Sequence, residues 1–389
     1  MRWPAKRISQ SSPKSFGMYE RAMPLVAEGK DVIHLEVGRP DFDTPRHIKE
    51  ATKKALDAGK VHYGEFAGER KLREAVCGKL KTVNAIDASP DEVLITNGLT
   101  HGGYAVLMAA LDEGDEVILP EPYYPQHINK IELAGGKPVS VPLDRDRGFR
   151  LDRRALESAI NNRTRMICVV NPANPTGRVF TREELTDIAE LAIEHDLLVM
   201  SDEVYDHITY DGHEHVSIGS LPGMWERTFS LFAYTKAFAM DGWRLGYAVC
   251  KQEFMPALMK ITVNDVAHVN VFIQEGAYAA LTGPQECLAE MLREDDRRRQ
   301  LMCRRLNAID GIVCPPPQGT IYAFPDITAF GKPSLQLAEE ILRATCVVTE
   351  AGSFYGEAGE GHLRLCFGAE PYARIEEAMD RLEAFFRRL

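Results

Sequence analysis

The chain has 389 residues, 45% hydrophobic and 26% charged, a balance that excludes a disordered protein and leaves room for a large core and two domains. Its 46 Lys and Arg against 57 Asp and Glu give a net charge of −11, which opposes broad attraction to nucleic acid or to an anionic membrane and favours a small-molecule partner. No apolar run approaches the length of a membrane span, and the basic opening MRWPAKRISQSSPKS leads into no apolar signal core, so a cytoplasmic location is expected.

Taken in chain order, short β-branched runs alternate with longer amphipathic ones, the pattern of an α/β fold in which a mostly parallel sheet is covered by helices. Strands are predicted over 92–96, 116–119, 166–170, 197–201, 228–232 and 245–250, and helices over 101–112, 124–134, 152–160 and 182–195. Thr181 and Glu184 form a capping-box signature at the start of the last helix. After about residue 284 the character changes to a long charged helix, a strand over 320–327, a helix near 334–344, two short strands and a final helix over 371–387, which reads as a smaller α+β domain. The run REDDRRRQLMCRRL keeps Leu301, Met302 and Leu306 for burial, so its charges are expected on a solvated helix face and not at a nucleic-acid site. Eight scattered cysteines without a CxxC pair read as reduced thiols.

Ligands of open α/β sheets sit outside the carboxyl ends of the strands, which directs attention to four places. EVLIT runs into NGLTHGG, where Gly98, Leu99 and Thr100 offer backbone N–H groups and a hydroxyl at a helix N-terminus, a natural seat for phosphate, though such turns are as often structural. MICVV leads into NPANPTG, which presents the amide of Asn174; a plain turn explains the prolines equally well. The next strand ends in SDEVY, where Asp202 follows an apolar run and needs a cation or strong donor, with an ion pair or helix cap as the simpler reading, and Tyr205 lies three residues on. TFSLF gives way to AYTK, placing Lys236 among apolar residues that lower an amine's pKa and let it attack a carbonyl to form an imine. Arg244 stands eight residues later in similar company. A lone lysine is usually solvated; phosphate cup, amide, carboxylate, phenol, lysine and arginine at successive strand ends argue together for a site. The pair His213 and His215 has no third ligand at suitable spacing, so no metal is expected.

These motifs resemble the fold-type I, pyridoxal-phosphate-dependent aminotransferases of class I/II. The likeness runs colinearly from VGRPDFDTP (37–45) through HYGEFAGERKLREAV, NPANPTG, SDEVY and YTKAFAMDGWRLGY to GEGHLRLCFG (359–368), nearly the whole chain. It implies pyridoxal 5'-phosphate as cofactor, a large cofactor-binding domain over 46–283, and a small domain built from 1–45 plus 284–389. By the same resemblance, Lys236 forms the imine with the cofactor and then moves the substrate's α-proton. Asp202 faces the pyridine nitrogen, Tyr205 and Asn174 bond the ring oxygen, and Tyr124 stacks on the ring. Arg244, Thr235 and the turn Gly98, Leu99 and Thr100 hold the phosphate. Arg364 grips the substrate α-carboxylate beside Gly38 and Asn174. Tyr63 reaches the phosphate of a second subunit, which implies a homodimer with composite sites.

The implied reaction moves the amino group of an L-amino acid to a 2-oxo acid in ping-pong fashion. Elimination or another lyase reaction on the same scaffold remains an alternative, as does a binding or regulatory protein without catalysis, against which counts the lack of a DNA-binding extension before the fold. Arg39 stands where the family commonly has Glu or Gln, Asp241 where it commonly has Thr, and Thr100 where aspartate-preferring relatives can carry Lys. Without an evident second cation an acidic donor is held poorly, so a neutral or aromatic donor is expected, lined by Tyr124 and residues near Phe16 and Tyr19, with Arg39 the one residue able to reverse this.

Overall fold

The computed structural model describes residues 3–10 and 17–389. Seven strands form the central sheet: Val93–Thr96 (β1), Glu116–Glu121 (β2), Lys137–Pro142 (β3), Thr164–Val170 (β4), Leu198–Asp202 (β5), Thr228–Ala233 (β6) and Gly246–Val249 (β7). Their spatial order is β1-β7-β6-β5-β4-β2-β3. All neighbours are parallel except β7, which runs antiparallel to both β1 and β6. Strands β1, β2, β5 and β7 are buried along their whole lengths apart from Leu198, as expected of a sheet covered on both faces.

Six of these strands fall where the β-branched runs predict them; β3 does not. KPVSVP carries Pro138 and Pro142, which argue against a strand in a sheet interior, but β3 is the edge and pairs on one side alone, where a missing N–H is tolerated. The strand expected over 320–327 is confined to Tyr322–Ala323, between Thr320 in the left-handed region (φ 68) and Pro325. The helix expected from residue 101 begins at Gly98, directly after β1.

The helix Arg182–Glu194 starts with the expected capping box: Thr181 Oγ1 accepts from the Glu184 N–H at 3.2 Å, and Glu184 Oε2 accepts from the Thr181 N–H at 2.9 Å. Glu184 also takes a bidentate contact from Arg178 at 2.7 and 2.8 Å.

A second core joins the two ends of the chain. Met18, Ala22, Ile33 and Leu35 pack with Leu301, Met302, Leu306, Ile341, Phe367 and Leu382. Ile33–His34 pairs in parallel with Val347–Val348, and Glu350–Ala351, Leu363–Cys366 and Tyr322–Ala323 form a three-stranded antiparallel sheet beside it. The helix Glu286–Leu306 buries Leu301, Met302 and Leu306 as predicted. Its charged face is less solvated than expected, because Arg298 and Arg299 are buried in ion pairs with Asp41 and Asp211 that tie the helix to other segments. All eight cysteines are free thiols. Among the described residues no helix is long and apolar enough to cross a membrane.

Candidate active site

The carboxyl ends of β1, β4, β5 and β6 deliver their loops to one cavity of about 420 Å3. Gly38, Leu99, Thr100, Tyr124, Asn174, Asp202, Tyr205, Thr235, Lys236, Arg244 and Arg364 all line it. Gly98 lies beneath it, at the start of the helix Gly98–Ala110. Its φ is +77°, and a Cβ there would stand 2.8 Å from Arg244 Nη2, so glycine satisfies both the left-handed turn and the close approach of a guanidinium to a helix N-terminus. Arg244 Nη1 donates to the Asp241 carbonyl at 2.8 Å, which holds the guanidinium over the turn. Helix terminus and arginine together make an anion cup.

Asp202, the last residue of β5, is 2% exposed. Its Oδ2 lies 3.0 Å from His127 Nε2, and its Oδ1 accepts from the Val204 N–H at 3.3 Å. Burial, aided by Lys130, pushes the His127 imidazole below its usual range, so the neutral ring donates from Nε2 to the carboxylate. Tyr124 packs edge-on against His127, with ring centroids 5.4 Å apart. The Tyr205 and Tyr322 hydroxyls are 2.8 Å apart, and burial raises both phenols, Tyr322 to about 12, so both keep their protons at neutral pH.

Arg364 donates from Nη1 to Asn174 Oδ1 at 3.2 Å and from Nη2 to the Glu36 carbonyl, while its guanidinium lies 4.3 Å from the Tyr322 ring centroid. Lys236 Nζ donates to the carbonyl of Gly38, so in this arrangement Gly38 presents its C=O to the lysine. Burial lowers the Lys236 amine from 10.5 to about 8, against the opposing pull of Cys366 and Asp241. A lysine that deprotonates near neutrality, facing an anion cup and a buried carboxylate, is equipped to attack a carbonyl and to shuttle a proton.

One expected residue stands elsewhere. Tyr63 is 89% exposed, lines a separate groove, and meets His268 edge-on at 5.5 Å. Phe16 lies outside the described residues. Of the histidines read as a surface loop, His215 is instead buried against Glu203 at 2.8 Å. No metal-ligand cluster occurs among the described residues.

Sequence reasoning missed His127, Tyr322, Glu36 and Glu350. His127 carried a signal, since it lies one helical turn after Tyr124 and so shares its face. Tyr322 and Glu350 come from the small core, where only tertiary packing brings them to the cavity. An adjoining cavity of about 720 Å3 shares Val37, Thr100, Tyr124, Gln126, Arg244 and Arg364 with the first and is also lined by Glu36 and Glu350.

A family model described as aminotransferase class I and II matches residues 30–382. The chain is 41% identical over 366 residues to an aspartate aminotransferase of Pyrococcus abyssi, covering 93% of this chain and 94% of that one. It is equally 41% identical over 362 residues to aromatic-amino-acid aminotransferase 2 of Thermococcus litoralis, covering 92% of each. Among solved structures, aspartate aminotransferase from Thermus thermophilus with maleate superposes over 100% of both chains with a TM-score of 0.93 at 34% identity.

Proposed function

Since the chain belongs to the class I and II aminotransferases, and so is a pyridoxal-phosphate-dependent transferase that uses amino acids and 2-oxo acids, we propose that Lys236 is its catalytic lysine and that the residues around the 420 Å3 cavity hold cofactor and substrate. The observation that carries this reading is the Lys236 amine, lowered to about 8 and facing the same cavity as the anion cup, Asp202 and Arg364.

The donor set fits the cofactor: a cup for its phosphate, a buried carboxylate for its ring nitrogen, protonated phenols for its ring oxygen and a low-pKa amine for its aldehyde. When bound, pyridoxal 5'-phosphate supplies a carbonyl that captures the amino nitrogen and a ring that delocalises charge from the substrate α-carbon. Arg244, Thr235 and the turn Gly98, Leu99 and Thr100 anchor the phosphate. Asp202, oriented by His127, keeps a proton at the ring nitrogen. Tyr205 donates to the ring oxygen together with Asn174, and Tyr124 packs against the ring. Arg364 takes the substrate α-carboxylate in a planar two-point grip, beside Asn174 and Gly38. Lys236 Nζ then takes and returns the proton at the substrate α-carbon.

Tyr63 belongs to this reading through a second copy of the chain. Its exposure, with Val61 at 59% and Phe66 at 49%, suits a surface covered in a homodimer, from which the Tyr63 hydroxyl reaches the other subunit's phosphate. The core that joins both chain ends, to which the large region adds Tyr205, Ile208 and Tyr210, supports a division into a large domain over 46–283 and a small domain of 1–45 plus 284–389. The enzyme is read as cytoplasmic.

An amino-acid panel with a common 2-oxo-acid acceptor tests the reaction. Formation of the donor's 2-oxo acid with matched amination of the acceptor is the expected result. Ammonia release without amination of the acceptor would instead establish a lyase.

A further inference from the structure

The adjoining 720 Å3 cavity shares Arg364 with the proposed cofactor cavity, so it offers room for the side chain of a donor whose α-carboxylate Arg364 holds. Two carboxylates line that compartment, and the proposed reaction uses neither. The Glu36 side chain is 1% exposed; its Oε1 lies 2.8 Å from His34 Nδ1, and its Oε2 is buried with no hydrogen-bond partner among the described residues. A buried acceptor left open is destabilising unless a donor completes it. Glu350 is 7% exposed and accepts from the Met18 N–H at 2.9 Å. Burial pushes its carboxyl up to about 7, against the opposing pull of Arg364 and the Met18 N–H.

Lys130 also lines the compartment; its buried Nζ has no hydrogen-bond partner among the described residues, burial lowers its pKa, and the carboxylate that opposes this is Asp202, not Glu36 or Glu350. The other cations nearby are committed elsewhere. Arg364 is taken by Asn174, the Glu36 carbonyl and the substrate carboxylate, and Arg244 by the phosphate cup. Arg21 pairs with Glu339 at 2.9 Å, His34 occupies only Glu36 Oε1, and Arg39 is exposed and lines the cofactor cavity alone of the two. The rest of the compartment is rich in aromatic side chains, among them Tyr19, Tyr124, Phe354 and Tyr355. Phe354 and Tyr355 already lie beneath the guanidinium groups of Arg21 and Arg364, at 6.0 and 5.1 Å from the ring centroids. Carboxylates joined to aromatic rings are the elements of a cation-binding pocket.

We propose that this compartment selects L-amino acids whose side chain ends in an ammonium or guanidinium group, with Glu36 and Glu350 as the counter-charges. The inference rests on the aminotransferase reading and replaces the neutral or aromatic donor expected from the sequence.

The holoenzyme is assayed with L-lysine, L-ornithine, L-arginine, L-norleucine, L-phenylalanine and L-aspartate against one 2-oxo-acid acceptor. Norleucine is the control, because it matches lysine in length without its charge. The best cationic donor exceeds norleucine in kcat/KM by about tenfold or more, and Glu350→Gln, which keeps an acceptor for the Met18 N–H, lowers that ratio by about tenfold. Visible titration of the bound cofactor with each donor, without acceptor, gives the same ranking in Kd and does not depend on turnover. Norleucine, phenylalanine or aspartate equal to or better than every cationic donor, or a ratio unmoved by both Glu350→Gln and Glu36→Gln, overturns the inference and leaves aminotransfer intact. If no donor aminates the acceptor, the aminotransferase reading fails first and takes the inference with it.

Discussion

Lys236 changes state within the working pH range, and the sign of the effect follows from which state reacts. Below about 8 the amine is an ammonium without a lone pair; above it the neutral form predominates. The rate at which apoprotein captures pyridoxal 5'-phosphate therefore rises with pH, by about tenfold per unit below the midpoint, and levels above a midpoint near 8. A midpoint at the ordinary lysine value of 10.5 would show that burial does not tune this amine. Asp202 has a different task, holding charge in place. Replacing it by Asn keeps the shape and a contact for His127 but removes the anion, so cofactor binding persists while turnover falls on the order of a hundredfold or more. Turnover of Asp202→Asn within a few-fold of wild type would reject that role. Both residues were legible in the sequence because each directly ends or follows an apolar strand, where an ionisable group needs a reason. Glu36 and Glu350 were not, because their neighbours in the chain say nothing of the cavity they share; the fold sets that proximity, across a sequence separation of 314 residues.

At the scale of elements, the strand-to-helix turn at Gly98 and the capped helix Arg182–Glu194 make separate demands on the chain. Gly98→Ala places a Cβ against Arg244 in a left-handed turn, and the expected result is a helix that survives with a weakened anion cup, seen as about tenfold or greater loss of affinity for pyridoxal 5'-phosphate in a binding titration. Unchanged affinity would mean that Arg244 does not hold the phosphate from this position. In the capped helix, burial alone would raise the Glu184 carboxyl, but Arg178 and the N–H groups of Thr181 and Leu151 bring it down to about 2. Its folded value is thus below the ordinary 4.5, and its stabilisation is fully present above that value and lost as pH falls towards 2. Glu184→Gln leaves Arg178 buried without its partner and costs about 3–5 kcal/mol in denaturant unfolding at neutral pH, with a shallower loss than wild type on acidification. A change below about 1 kcal/mol would contradict a buried, net stabilising pair. The capping box could be read from Thr181 and Glu184 alone, as local chemistry specifies it. Edge strand β3 could not, because its prolines are acceptable only at a sheet margin, and the margin is a property of strand order.

For the whole molecule, the account requires two copies. Each cavity is lined by all of the expected cofactor and substrate contacts except Gly98, at the helix start beneath it, and Tyr63, which faces outward on its own protomer. Lys236→Ala and Tyr63→Phe are each expected to be impaired. Refolded together at equal amounts, they form hybrids in which one site has both wild-type residues, restoring activity at up to about a quarter of all sites. A fully active monomer in sedimentation would rule the arrangement out. The colinear motifs made this architecture legible over nearly the whole chain, whereas the proposed substrate compartment, assembled from the helix Met18–Ala27, the small sheet and the helices and loops beyond the large sheet, emerges only in three dimensions. The central claim is that Lys236 is the residue that joins the cofactor, and borohydride reduction of the holoenzyme followed by peptide mapping tests it most directly. The account predicts the phosphopyridoxyl group on the peptide containing Lys236; its appearance on another lysine, such as the buried Lys130 near Asp202, would contradict the account.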